Sequence, residues 1–323
     1  MKYLFIPSYP SIFFAIKCHN DSDGNVCIIT TNNSVARLLE SLKIRTIKIK
    51  SIDKPYHVFA AKTTLDHILS SKNKDDEFYL LDNIFCVEGF YLAAKWPSKH
   101  VFYKNLSREF ELNRGKNKKH SIRFKIGKLL IESWMKIKLT ARIKSDYPVL
   151  AIDEGFIEKY NIKKLNLEVD YQSISKEVII KNQIKTEKYD YLFVSQGMMN
   201  DTIISSSFLS LLEDEVLNLE SLASKPHPRH SFGANLTLPN PIADIIPSEF
   251  ILGNIHKAVI SVFSLTLINA TWFDNVKIIS LLELVEWKDR SYKESIKEML
   301  TSQGDGRIQF PKTIPELRKM LKS

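Results

Sequence analysis

The sequence has little of what several common chemistries need. Its 323 residues hold three cysteines, Cys18, Cys27 and Cys86. Three cannot form a disulfide framework, and without a C-x-x-C spacing they do not read as a zinc site. A reducing compartment is expected. Ten glycines leave little material for a phosphate-cradling loop. Neither G-x-G-x-x-G nor G-x-x-x-x-G-K-[ST] occurs, which argues against a nucleoside triphosphatase or a nicotinamide dehydrogenase. H-E-x-x-H and G-x-S-x-G are missing as well. No run of 18 apolar residues occurs, so no transmembrane helix is expected.

What is present suits a folded protein of two domains. Apolar residues make up 44% of the chain, too many for a disordered polyelectrolyte. The length gives room for two cores, at about 150 residues per domain. Near the N-terminus, Pro7 and Pro10 interrupt the apolar residues and Lys17 precedes Cys18. A strand, a loop and a helix are therefore expected there rather than a secretory leader. The expected location is cytoplasmic, with any membrane contact peripheral, at the inner membrane.

The first half alternates short β-type runs with helical patterns. Strands are expected at Tyr3–Ile6, Val26–Thr30, Thr46–Lys50, Tyr79–Leu81, Val101–Tyr103 and Val149–Ile152, and helices at Ser34–Leu42 and Leu65–Ser70. That alternation implies parallel βαβ units. Asp21-Ser22-Asp23-Gly24-Asn25 reads as turn chemistry, although its D-x-D could also hold a metal. The pattern restarts at Tyr189–Val194, with further strands at Lys257–Val262 and Val276–Ile279 and helices at Tyr292–Leu300 and Ile314–Leu321. The polar stretch 181–187 is the expected linker. Domains of 1–187 and 188–323 follow, each Rossmann-like, with a cleft between them.

The charge is concentrated. Formal net charge is +9, and residues 104–144 alone hold 13 Lys/Arg against three acids, so the rest of the chain is close to neutral. Inside this segment Ile122, Ile126, Leu129, Leu130, Trp134 and Ile137 recur at helical spacing, with Arg123, Lys125, Lys128, Lys136 and Lys138 off the stripe. Three readings stand: a domain helix with a solvated basic face, a helix lying on an anionic membrane surface, or a nucleic-acid contact, for which no known module is recognisable.

Three short elements could support catalysis. Asp153-Glu154-Gly155 follows an expected strand and precedes the helical Phe156–Tyr160. Carboxylates at a strand's carboxyl end lie where α/β folds bind ligands, and adjacent like charges raise one pKa toward that of a general base. A helix N-cap would use the same residues. Lys225-Pro226-His227-Pro228-Arg229 holds an imidazole between two prolines, with two cations suited to a phosphate. An exposed Pro-rich loop is the alternative. Ser261-Val262-Phe263-Ser264-Leu265-Thr266 runs from a strand into an expected helix. A hydroxyl there can cap the helix and also bind phosphate.

In this order, the three elements resemble motifs of the bacterial sialyltransferases: glycosyltransferase family 52, the lipooligosaccharide sialyltransferases, and the related bacterial polysialyltransferases. Asp153-Glu154-Gly155 matches their acidic motif, His227-Pro228 their H-P motif and Ser264 their serine motif. Ile246-Pro247-Ser248-Glu249-Phe250 is similar to the segment whose carboxylate holds the nucleotide ribose. The resemblance implies an α/β fold of the GT-B type and an inverting, metal-independent transfer of sialic acid from CMP-sialic acid to a terminal sugar of a cell-surface glycan, lipooligosaccharide or capsule. No cofactor is expected beyond that donor. Glu154 would be the base, with Asp153 tuning it, and His227 would assist the leaving CMP. Ser264, with Ser261 or Thr266, would hold the phosphate, and Glu249 the ribose. The acceptor would be lipid-linked. Other GT-B sugar transferases of capsule or lipooligosaccharide, and polymer phosphotransferases, share the His and Ser features. A basic nucleic-acid-binding protein is the non-enzymatic alternative, although no nucleic acid is expected as partner.

Overall fold

The structure is a computed structural model. It describes residues 1–6, 11–50, 57–80, 84–85, 87–102, 122–136, 150–151, 158, 161–165, 169–181, 188–195, 202–203, 205–226, 237–243, 246–274 and 276–322. The chain divides into two compact units, Met1–Asp170 and Tyr171–Ser323.

The first unit is built on six parallel strands: β1 (Lys2–Phe5), β2 (Val26–Thr30), β3 (Thr46–Lys48), β4 (Glu77–Leu80), β6 (Ser98–Phe102) and β8 (Lys163–Leu165). Their order across the sheet is β3-β2-β1-β4-β6-β8. The chain starts in the middle, winds to one edge, then returns to wind to the other. Helices α1 (Ile12–Asn20), α2 (Asn33–Ser41), α3 (His57–Ser71) and α4 (Val87–Lys95) lie between strands, as parallel crossovers require. β2 is buried at every position, which is why it reads as an unbroken apolar run rather than an alternating one. The Asn32 side chain accepts hydrogen bonds from the Ser34 and Val35 amides and starts α2. Trp96 is fully buried between Tyr3 and Phe78, and its indole N–H donates to Asp76 O at 2.9 Å. The D-x-D segment is a tight turn after α1, with Asp23 and Gly24 both at positive φ.

One expectation shifts here, and one open reading narrows. The strand expected at Val149–Ile152 appears as β7 (Leu150–Ala151), and it stays out of the main sheet. It pairs antiparallel with β5 (Ile84–Phe85) in a separate ribbon. The basic segment contains helix α5 (Ile122–Met135), and the four described members of its apolar stripe face away from the core. Ile131 and Met135 are buried, while Ile126, Leu129, Leu130 and Trp134 are exposed.

The second unit has five parallel strands, β9 (Tyr189–Val194), β11 (Leu222–Lys225), β12 (Ile255–Ser261), β13 (Lys277–Ser280) and β15 (Ile308–Gln309), in the order β11-β9-β12-β13-β15. A second ribbon pairs β10 (Thr202–Ile203) with β14 (Glu286–Trp287). The helices are α6 (Tyr171–Lys181), α7 (Ser206–Leu212), α8 (Leu265–Asn269), α9 (Arg290–Gln303) and α10 (Ile314–Lys322). Phe193, Leu212, Val216, Ile260, Val262, Ile279, Leu281 and Leu317 fill the core. α6, which the expected boundary at 187 assigned to the first domain, belongs to the second unit. It packs on two 3₁₀ turns, Ser248–Phe250 and Leu252–Asn254, and Tyr171 stacks on Trp272. Among the described residues no helix is long and apolar enough to cross a membrane.

Candidate functional site

An open parallel sheet binds ligands in the crevice at its strands' carboxyl ends, where the winding direction reverses. In the second unit the reversal lies at β9. The chain goes from β9 to β11 on one side, then to β12 on the other. Lys225 ends β11 opposite Val194, and Ser261 ends β12. The Ser261 hydroxyl donates to Val194 O at 2.8 Å and is fully buried. It therefore ties the ends of β9 and β12 together and faces into the sheet. Lys225 is also buried, with Nζ on Ala243 O at 2.8 Å.

Beyond β12 the candidate hydroxyls and carboxylate come together. Ser264 is the N-cap of α8, where its Oγ accepts from the Thr266 amide at 3.2 Å. The Thr266 hydroxyl lies 2.7 Å from the Ser248 hydroxyl, and both are buried. Ser248 donates to Glu249 Oε2 at 3.2 Å, and Asn269 Nδ2 donates to Glu249 Oε1 at 2.9 Å. Glu249 is buried as well. Thus the 3₁₀ turn Ser248–Phe250 is locked to α8 by a polar network in which Glu249 is the one acid. Burying a carboxylate costs several kcal/mol before its hydrogen bonds are counted, and a well-packed apolar substitute is often no less stable. Stability alone therefore does not account for Glu249. Ser248 and Asn269 escape sequence reasoning. Ser248 lies in the segment singled out for Glu249 but has no role of its own there, Asn269 sits in no motif, and only the packing of α8 on the 3₁₀ turn makes them partners.

Asp153, Glu154, His227, Pro228 and Arg229 lie outside the described residues. Their neighbours are described. Lys225 and Pro226, just before His227, leave the carboxyl end of β11 beside β9. Ala151, two residues before Asp153, pairs with Ile84, four residues past the end of β4. In the first unit the winding reverses at β1, so the crevice lies between β1 and β4. The strand leading into the acidic motif is thus attached to the chain emerging from that edge.

A cavity of about 680 Å³ opens at the other end of the second sheet, lined by Tyr191, His256, Lys257, Glu215 and Arg318 among others. Its charges are largely matched. Arg318 is bidentate on Glu215 at 2.6 and 2.8 Å, and Lys257 lies 2.6 Å from Asp190. It sits at the strands' amino ends, the wrong side for a ligand of this fold class. Among the described residues no group of three or more His, Cys, Asp or Glu side chains could hold a metal ion.

No protein-family model matches the chain, and no curated protein matches it in sequence. Among solved structures it is similar to CalG4, the calicheamicin glycosyltransferase, at 13% identity and a TM-score of 0.51, over 99% of this chain and 88% of that one. It is similar also to the glycotransferase of kitacinnamycin, at 10% identity and a TM-score of 0.50, over 99% and 89%. Together with the two doubly wound sheets, these likenesses give the chain the GT-B fold of glycosyltransferases.

Proposed function

We propose that this protein is a glycosyltransferase with a nucleotide-sugar donor, and that it moves sialic acid from CMP-sialic acid, with inversion and without a metal, to a terminal sugar of a lipid-linked lipooligosaccharide or capsular glycan. The observation that carries the glycosyltransferase reading is the fold itself, and it is supported by Lys225, two residues before His227, ending β11 at the sheet's carboxyl edge. The choice of donor is supported by the order Asp153-Glu154-Gly155, His227-Pro228, Ser264. In this reading Glu154 takes the proton from an acceptor hydroxyl, with Asp153 beside it. That oxygen attacks the anomeric carbon from the face opposite the leaving group. The bond from carbon to phosphate oxygen breaks, and its electron pair leaves with CMP. His227, held by Pro228, donates to the phosphate as its charge develops, which is where preorganised donors lower a barrier most. Ser264 adds its hydroxyl, with Lys225 and Arg229 adding positive charge. Glu249 holds the ribose. Ser261 and Thr266 contribute by fixing the strand end and the start of α8.

The test is CMP release from CMP-sialic acid with lactose-type and sialylated acceptors, run beside UDP-glucose as donor. Glu154→Ala and His227→Ala should each lower turnover by about 100-fold or more with unchanged folding, and EDTA should leave it unchanged. Turnover from UDP-glucose alone removes sialic acid and keeps glycosyl transfer. Full activity in either variant removes the assigned roles.

A further inference from the structure

We propose that the outward face of α5, extended by Phe59 of α3, docks on the surface of an anionic lipid bilayer. At about 100° per residue, Ile126, Leu129, Leu130 and Trp134 share one face of α5, and Ile131 and Met135 share another. The second face is buried in the first unit's core at 5% and 1% exposure. The first is exposed at 52%, 64%, 56% and 47%. Phe59 is 55% exposed and its ring lies 4.2 Å from that of Trp134, centroid to centroid. Among the described residues these are five of the six large apolar side chains that are exposed; the sixth is Ile314. Singly exposed apolar residues need no explanation, but a contiguous patch of them marks an interaction surface.

Charge selects the occupant. α5 carries Arg123, Lys125 and Lys128, and Lys136 follows its last turn, in a segment with 13 cations and three acids. Two copies meeting through this face would bring like charges together. Nucleic acid would use the cations and the two rings, but it would leave the exposed aliphatic side chains of Ile126, Leu129 and Leu130 without an apolar partner. A bilayer with acidic headgroups satisfies both features. Apolar side chains and Trp enter the headgroup boundary, while Lys and Arg meet the negative surface. The inference stands independently of the donor and of the transferase reading.

The full chain should be mixed with vesicles of phosphatidylcholine alone and with vesicles containing phosphatidylglycerol, then sedimented at low and high salt. Binding is expected to the phosphatidylglycerol vesicles and to weaken with salt. The double variant Leu129→Ser/Trp134→Ser should bind about tenfold more weakly or worse, with an unchanged melting curve because both side chains are exposed. A second measurement does not use the double variant: adding vesicles should blue-shift the emission that Trp134 contributes, taken as wild type minus Trp134→Phe. Failure to sediment with phosphatidylglycerol overturns the proposal, as does equal binding by the double variant. So does an unshifted Trp134, or a double variant that changes only oligomeric state or RNA retention.

Discussion

At the residue scale, Ser264 has two duties that one substitution separates. As N-cap its oxygen accepts the Thr266 amide. Replacing a capping Ser by Ala costs about 1 kcal/mol, but replacing it by Gly costs only a few tenths. Ser264→Gly is therefore expected to melt within a degree or two of wild type. If the hydroxyl also contacts the donor phosphate, the same variant should raise the donor KM about tenfold, since a hydrogen bond to a charged group is worth roughly 1.5–3 kcal/mol. Kinetics matching wild type would leave Ser264 as a cap alone. His100 gives a pH test of the first unit. It is buried on β6, its ring stacked on Tyr79, with Nε2 3.3 Å from Glu77 Oε1. Burial pushes its pKa down, and this outweighs the opposing pull of Glu77, while Lys163 and Lys2 push it further down. The folded state then binds this proton less readily than the unfolded state. Between the folded value and the ordinary value near pH 6.5, stability rises with pH, and it falls as pH drops through that window. Urea unfolding from about pH 7 down to pH 5 should show a steeper loss in wild type than in His100→Phe. Equal slopes would mean that His100 protonates freely in the fold.

At the element scale, legibility followed apolar composition, since β11 is buried throughout and still does not read as a strand. Strands buried on both faces are continuous apolar runs in sequence, and Val26–Thr30 and Tyr189–Val194 appear with the bounds expected. β8 and β11 were not legible. Their sequences, KKL and LASK, carry lysine and small residues, and pairing with a neighbouring strand makes them strands. β7 was legible as extended chain, but two residues cannot say which sheet they join. The stripe on α5 was legible as a stripe but its direction was left open, because a helix apolar on two faces gives no sequence signal of which one meets the core. Of the site, Ser264 stood out through its place between strand and helix and Glu249 through the resemblance of its segment, whereas Ser248 and Asn269 join only in three dimensions. One packing detail at this scale is testable. α9 is capped by Asp289 and buries Tyr292, Ile296, Met299 and Leu300. It ends at Gly304, where a Cβ would lie 2.5 Å from Leu300 O and 2.6 Å from an Ile308 side-chain carbon. The φ there is −89°, so glycine is needed for close approach and not for a left-handed turn. Gly304→Ala should push α9 off β15 and cost about 1–3 kcal/mol, read as a lower melting temperature. A melt equal to wild type would show that the junction yields without loss.

At the scale of the whole molecule, each unit encloses its own sheet and core, so each should fold alone. The position of the division matters because of α6. Its buried residues Ile174, Ser175 and Val178 belong to a helix packed on the two 3₁₀ turns, the first of which carries Ser248 and Glu249. Taking a chain from Tyr171 keeps this support. Starting at Lys188, the boundary that composition suggests, removes it and uncovers Phe250, Ile251 and Leu252, which are buried in the full chain. Losing the cover over side chains of this size costs on the order of 1.5–3 kcal/mol each, a large share of a domain's 5–15 kcal/mol. The fragment 171–323 is therefore expected to unfold in one cooperative transition, followed by circular dichroism, and to be protected by CMP if the second unit holds the nucleotide. The fragment 188–323 should melt far lower or aggregate. If the two melt alike, α6 is an appendage of the second unit, and the network around Glu249 stands without it.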